Sequence, residues 1–328
     1  MQTLFMRQIC VGLSIVLLGA SVAWGKGPKI TDPAKAGVDF QLQGEYAGVI
    51  EGSEKYGIQV IALGLGKFKA VGFPGGLPGA GWTGKDKVSS TGSLKGNQVV
   101  FKSDHGVGTL KKGSITVSDT EGKSVGKLQR VVRKSKTLGQ KPPKGAVVLF
   151  NGKSVDGWIN GKMTKDGLLE QGTTSKARFG SMKIHIEFRL PFQPQDRGQG
   201  RGNSGIYLQG RYEVQMLDSF GLKGKNNECG GIYSVKDPST NMCFPPLSWQ
   251  TYDIEYTSAK YDKDGKLTKD PRMTVYHNGV IVQKDVKLPG NRSTTGAPVR
   301  PGPEAGPIYL QNHSCPIRYR NIWVVKLK

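Results

Sequence analysis

The chain is short of cysteine, histidine, acid and helical repeat, and each shortage narrows what it can be. It has four cysteines and four histidines in 328 residues. No two cysteines stand in a C-x-x-C spacing, which argues against a cysteine-held zinc site. No long stretch repeats its apolar residues at helical spacing; with 47 glycines, that favours many short strands and turns. No apolar run reaches the ~20 residues of a membrane span. The nearest, Ile9 to Ala20, follows Arg7 and precedes the small residues Ala23 and Gly25. That order predicts an export signal over residues 1–25, cut before Lys26. Acids number 25 against 47 Lys and Arg, a net charge of +22. Such a field favours acidic glycans or an anionic cell surface. Nucleic acid is discounted, because the basic residues are scattered rather than clustered with stacking aromatics.

What remains reads as two units. From Val38 to Lys134, runs such as "YGIQVIALG", "NQVVFKS" and "GSITVS" alternate between Gly-rich turns. They predict a small β-barrel or sandwich over residues 26–135. "FPGGLPGAGW", Phe73 to Trp82, is a Gly/Pro loop, read as structural. Residues 136–145, basic and carrying Pro142-Pro143, read as a linker. Residues 146–328 predict a β-sandwich. In "MKIHIEFRLPF", Ile184, Ile186, Phe188 and Leu190 share one face and His185, Glu187 and Arg189 the other. Asn278-Gly279 in "MTVYHNGVIVQ" is a hairpin signal, since both central positions of a type I′ turn need positive φ. His277 beside it is expected in solvent. An exported chain meets an oxidising compartment, so Cys229 and Cys243, which flank a short loop, are expected to pair and leave Cys315 as a buried thiol.

The stretch "GNSGIYLQGRYEVQMLDSF" carries the candidate chemistry. A three-residue loop at Gln209-Gly210-Arg211 sets Ile206 opposite Val214 and Leu208 opposite Tyr212. Tyr207, Glu213 and Gln215 then share the opposite, polar face. A bulge at Leu217 would bring Asp218 beside Glu213, where two carboxylates would raise one pKa.

Several motifs in order resemble a family. They are "LFNGKSVDGW" at 149–158, "NSGIYLQGRYEVQMLDS" at 203–219, "CGGIYSV" at 229–235, "WQTYDIEY" at 249–256, "HNG" at 277–279 and "IYLQNHSCPIRYRNIWV" at 308–324. Together they resemble the 3-keto-disaccharide hydrolase family over residues 146–328, and the front unit resembles the small β-rich module that precedes this domain in some exported bacterial proteins. The resemblance implies a concanavalin-like jelly-roll sandwich whose concave sheet holds sugars. It also implies cleavage of a glycoside already oxidised at C3: proton abstraction at C2, expulsion of the C1 substituent, then hydration. Glu213 and Asp218 would serve as base and acid, and His313 as a further proton carrier. Asn203, Tyr207, Gln215 and Gln311 would bind hydroxyls or the carbonyl, and Tyr233 or Trp249 would stack on a sugar ring. A divalent metal could use Glu213, Asp218 or His313, though no ligand spacing requires one. Glycosidases of this fold that work by double displacement often carry E-x-D-x-x-E on one strand. Here the run is Glu213-x-Gln215-x-x-Asp218, which does not suit that mechanism. Two alternatives stay open: a carbohydrate-binding protein without chemistry, and a surface module for acidic polymers.

Overall fold

The computed structural model describes residues 27–327, so the expected export signal lies outside the described residues. The chain is nearly all β. Its first unit is a closed barrel of eight antiparallel strands: β1 (Gly44–Ile50), β2 (Ser53–Gly64), β3 (Lys67–Pro74), β4 (Val88–Lys95), β5 (Gln98–Ser103), β6 (Gly106–Lys111), β7 (Ser114–Ser118) and β8 (Ser124–Val131). Each strand pairs with the next, and β8 returns to β1. That closing seam depends on glycine: a Cβ on Gly48 would meet the Lys127 carbonyl at 2.2 Å, and one on Gly126 the Val49 carbonyl at 2.4 Å. Tyr46, Val60, Phe68, Val99, Phe101, Leu110 and Leu128 fill the interior.

The second unit is the jelly-roll sandwich. Its strands are β9 (Val147–Phe150), β10 (Trp158–Ile159), β11 (Leu169–Glu170), β12 (Thr173–Phe179), β13 (Met182–Arg189), β14 (Ser204–Leu208), β15 (Tyr212–Met216) and β16 (Trp249–Thr257). There follow β17 (Lys260–Tyr261), β18 (Leu267–Lys269), β19 (Arg272–His277), β20 (Val280–Lys287), β21 (Gly306–Leu310) and β22 (Arg318–Lys326). One sheet runs β10-β12-β21-β14-β15; the other runs β11-β22-β13-β16-β19-β20, with β9 also on β22, and β17 and β18 form a small pair. The core between the sheets takes Ile184, Ile186 and Phe188 from one side and Ile206, Leu208, Val214 and Leu310 from the other. The hairpin β14–β15 has the expected register, with Tyr207 opposite Glu213 and Leu208 opposite Tyr212. Asn278 and Gly279 have φ of 53° and 79°, as their turn requires.

The two units are stitched together. Phe192 and Leu247 of the sandwich unit pack into the barrel core, and Phe220 joins Ile61, Val71 and Phe73. Arg201 donates to the Ala62 carbonyl at 3.1 Å and Arg197 to that of Leu63 at 2.8 Å. The 73–82 loop sits at this seam, with Gly79 close against the Met242 sulfur. The segment read as a linker is seated on the outward face of the β11-β22-β13-β16-β19-β20 sheet. Thr137 hydrogen-bonds Asp253 at 2.6 Å, the Gly139 amide donates to Glu187 at 2.6 Å, and the Gln140 carbonyl accepts from Asn321 and Trp323.

That cover buries one histidine, and the core takes another. His185 and Glu187 lie on the outward face of β13, as their parity requires, yet both are buried. His277 is not in solvent: it is fully buried, with Nε2 3.0 Å from the Gln250 side-chain oxygen. Burial without a charged partner pushes its pKa down to about 3.

The expected disulfide is corrected. Cys229, Cys243 and Cys315 are free, buried thiols. Cys229 Sγ lies 3.1 Å from the Tyr252 hydroxyl, and Cys243 Sγ lies 3.5 Å from the Leu217 carbonyl. Both sulfurs are spent on polar contacts inside the apolar core, and burial pushes the Cys243 thiol up. Among the described residues, no helix is long and apolar enough to cross a membrane.

Candidate active site

The outer side of the β10-β12-β21-β14-β15 sheet carries the side chains that strand parity turns away from the core. On β15 these are Glu213 and Gln215; on β14, Tyr207; on β21, Tyr309, followed by Gln311. Two loops close over them. Gly230 and Gly231 exchange backbone hydrogen bonds with Gln215, and the Tyr233 amide donates to the Glu213 carbonyl at 3.1 Å. From the other side, Thr294 accepts from the Glu213 amide at 3.0 Å and donates to the Arg211 carbonyl at 3.1 Å.

Glu213 is the centre of this face. It is 2% exposed, and no Lys or Arg pairs with it among the described residues. Burial raises its pKa to about 8, even though a hydrogen bond from Tyr207 favours the charged form. The Tyr207 hydroxyl is 2.7 Å from Glu213 Oε2 and 3.1 Å from the Thr295 carbonyl, and it accepts from Gln311 Nε2 at 3.1 Å. A phenol has one proton, so it can serve either acceptor. When Glu213 is ionised, Tyr207 donates to it. When Glu213 is protonated, the carboxyl can donate to Tyr207, which can turn its own proton to Thr295. The pair is therefore built to hold one proton more or fewer without leaving an oxygen stranded. Burial and the neighbouring carboxylate drive the Tyr207 pKa far up, so it stays a proton donor.

Beside this pair lies an amide cluster. Asn203 Nδ2 donates to the backbone and side-chain oxygens of Gln199, at 2.9 and 3.0 Å. Gln215 Nε2 donates to the same Gln199 oxygen at 3.0 Å. Gln199 Nε2 donates to the Asn227 carbonyl at 2.9 Å. Asn203 Oδ1 and Gln311 Oε1 are buried without any partner. Buried acceptors are rarely left so, and hydroxyl donors from a bound sugar would satisfy both.

The sequence-predicted residues thus divide. Asn203, Tyr207, Glu213, Gln215 and Gln311 come together, and Tyr233 stands half-buried at the edge, close enough to Tyr207 to affect its titration. Asp218 does not join Glu213. Its carboxylate is bound by Arg201 at 2.6 Å, and both groups are buried. The chain leaves β15 at Met216, and the Asp218 amide donates to the Arg201 carbonyl, which turns the residue toward the barrel seam. The raised pKa of Glu213 comes from burial and not from a second carboxylate. His313 is exposed in the loop after β21, and its side chain makes no hydrogen bond among the described residues. Trp249 lies on the outer face of the other sheet, between the guanidinium groups of Arg320, 4.0 Å away, and Arg189, 5.1 Å away. Glu213, Asp218 and His313 do not form a ligand set: among the described residues, no three His, Cys, Asp or Glu converge to hold a metal.

Sequence reasoning missed Gln199, Tyr309, Thr294 and Gly205. Gly205 faces Gln215 across the hairpin, and a Cβ there would meet Glu213 Oε1 at 2.0 Å. Its bare backbone is what lets the carboxyl lie down on the sheet.

Residues 145–325 match the family described as the 3-keto-alpha-glucoside-1,2-lyase-like domain, more than half of the chain. The chain belongs to this family. Among solved structures it is similar to a candidate glycosyl hydrolase from Parabacteroides distasonis ATCC 8503, with 35% identity, 56% of this chain and 85% of that chain covered, and a TM-score of 0.51. Two further candidate glycosyl hydrolases of that organism align over 56% of this chain. One has 17% identity, 95% of its own length covered and a TM-score of 0.41; the other has 18%, 100% and 0.39. No curated protein matches the chain. Family and neighbour together support a carbohydrate-active enzyme of glycosyl hydrolase-like function.

Proposed function

We propose that the protein cleaves 3-keto-glycosides by elimination and hydration, with Glu213 as the base. The observation that carries this reading is a buried carboxyl group with no cation beside it and a pKa of about 8, hydrogen-bonded to a phenol beside a cluster of amide side chains. A ketone at C3 acidifies the C2 proton. A carboxylate whose pKa is raised by desolvation is a stronger base than an ordinary one, and suits that proton better. In the first step the C2 proton passes to Glu213 and the electron pair forms the enolate. The enolate then re-forms the C3 carbonyl, makes the C1–C2 double bond and expels the C1 oxygen. The leaving oxygen takes the Tyr207 proton, and Glu213 returns its new proton to Tyr207 across their 2.7 Å contact. Water then adds at C1 while C2 regains a proton, which gives the free 3-keto sugar. The partnerless oxygens of Asn203 and Gln311 would accept sugar hydroxyls.

Incubation with 3-keto and unoxidised disaccharides in D2O tests this. The expected result is deuterium at C2 and release of the aglycone from 3-keto substrates alone. Cleavage of unoxidised disaccharides at equal rate, or release without exchange at C2, would sink the mechanism. Binding with no cleavage of any substrate would make the face a sugar-binding site. The same proposal has the enzyme acting outside the cytoplasm after removal of residues 1–25. N-terminal sequencing of the mature protein checks this, and recovery of Met1 would contradict it.

A further inference from the structure

The loop that brings Asn227 and Tyr233 to the Glu213 face also brings Lys223 to a depression at the seam between barrel and sandwich. This groove encloses about 660 Å³ and gathers Lys69, Lys85 and Lys87 from the barrel with Lys223 from the sandwich. An adjoining hollow of about 320 Å³ shares Lys69 and adds Lys102. Elsewhere Lys123, Lys183 and Lys287 find carboxylates, but these five lysines make no ion pair among the described residues. Asp86, between Lys85 and Lys87, is exposed and not part of the lining, and the acids on the sandwich side are already engaged. Asp237 accepts from the Asn226 amide at 2.6 Å and its side chain at 3.1 Å. Glu228 accepts from the amides of Gly224 at 2.7 Å and Lys225 at 3.2 Å.

Lys87 is the telling residue. Its ammonium sits 4.5 Å from the Trp82 ring centre and 5.2 Å from that of Phe73, half-buried. Burial holds it below the usual lysine range; Glu228 partly offsets this, and Lys223 and Lys69 push it lower still. Like charges converging on a partly desolvated groove repel each other, and an anion laid between them removes that repulsion. Because the lysines come from both units, the docking of barrel on sandwich creates the groove.

We infer that this groove is a second binding site, separate from the site of cleavage, for the anionic chain of an acidic polysaccharide. Choosing a sugar chain rests on the glycoside reading above. Lys87 lies over one face of Trp82, so charge stands there where a nucleic-acid base would stack. Ser89, Ser239 and Thr240 also line the groove, with Val71, Leu222 and Pro238. Carboxylate and sulfate chains share the required charge, so both enter the test.

The full-length protein would be titrated with polygalacturonate, dextran sulfate, neutral dextran and duplex DNA of matched charge. Two variants with equal loss of charge are compared: Lys69→Ser/Lys85→Ser/Lys87→Ser/Lys223→Ser in the groove, and Lys141→Ser/Lys144→Ser/Lys263→Ser/Lys266→Ser at exposed sites outside it. The expected result is binding of at least one acidic polysaccharide but not neutral dextran, weakened roughly tenfold or more by the groove variant alone. Equal weakening by both variants, or no binding of either acidic polymer, would overturn the inference. Groove-dependent binding of DNA tighter than either polysaccharide would overturn it in favour of a nucleic-acid surface. The groove variant should turn over a soluble 3-keto disaccharide like wild type, and Glu213→Gln should bind acidic polysaccharide like wild type. Failure of the glycoside reading and failure of this one therefore give different results.

Discussion

Two glutamates in the same sandwich are equally hidden from water and titrate in opposite directions. Glu213, on the five-stranded sheet, has its pKa raised to about 8. Glu187, on the other sheet, has its pKa lowered to about 2. Burial opposes the charge of both. At Glu187 it is outweighed by His185, Asn321, Arg320 at 2.6 Å and the Gly139 amide at 2.6 Å. At Glu213 only Tyr207 answers it. Burial alone thus does not mark a functional carboxyl group; burial left uncompensated does. One glutamate fastens the 135–140 segment to its sheet, and the other, in the proposed mechanism, exchanges a proton.

The sharpest way to break this comparison is to remove each charge in turn. Glu213→Gln should lower turnover of a 3-keto-glycoside by roughly 10²–10⁴-fold while the protein stays folded. Wild-type turnover should rise as pH passes through about 8, because the base must be ionised. A folded variant with unchanged turnover would take Glu213 out of the mechanism. Glu187→Gln should leave turnover nearly intact.

Stability should show the reverse. Glu187 ionises below its ordinary 4.5, so its contribution is present above that pH and is lost as pH falls through about 2. Glu187→Gln should therefore cost about 2–3 kcal/mol at pH 7. Glu213 ionises above its ordinary 4.5, so the native state loses stability as pH rises from there to about 8. Glu213→Gln escapes that loss and should be more stable than wild type by about 3 kcal/mol at pH 9, with the gain shrinking toward pH 5. Denaturant unfolding of Glu187→Gln at pH 7 and of Glu213→Gln at pH 5 and pH 9, each against wild type, is the measurement. The same sign in both variants would mean that the two sites do not differ as described.

A smaller effect isolates geometry from charge. Gly205→Ala keeps every titrating group but puts a methyl carbon where Glu213 Oε1 now lies, 2.0 Å away. The carboxyl must shift, and displacement of a catalytic group by about 1 Å typically costs 10²-fold in rate. Turnover falling by about that factor, with the pH profile still centred near 8, is expected. No loss would mean that the position of the carboxyl is not critical.

Much of this was legible in the sequence because strand parity is a local property. The register of the 204–216 hairpin followed from its apolar alternation, and so did the common face of Tyr207, Glu213 and Gln215. The Asn278-Gly279 turn announced itself by residue type. What was not legible depends on contacts between distant segments. His185 and Glu187 read only as the polar face of their strand, because nothing near them in sequence says that residues 135–140 lie across them. Asp218 read as a partner for Glu213 because Arg201, seventeen positions earlier, sits in a loop with no periodicity to place it. Trp249 read as a sugar platform by residue type alone, and its strand belongs to the other sheet. Gly205 carried no signal, since the space it leaves open is defined by a side chain on the neighbouring strand.

Tyr207→Phe tests the link between the two oxygens and should have the smallest effect. The ring would remain, 5.4 Å from that of Tyr309, so packing is largely kept. Loss of the hydroxyl takes away the one hydrogen bond that favours ionised Glu213, so the already raised pKa of Glu213 must move further up. The rising limb of the pH–rate profile should shift to higher pH. Near pH 7 the variant should lose about tenfold in turnover, because less of the base is ionised and the proton donor to the leaving oxygen is gone. Raising the pH should restore the first loss and not the second, so the plateau should remain below that of wild type. A profile that keeps its midpoint would show that Tyr207 does not control the ionisation of Glu213. A profile that shifts but reaches the wild-type plateau would show that Tyr207 tunes the base without delivering the proton, leaving Glu213 itself to carry it from C2 to the leaving oxygen.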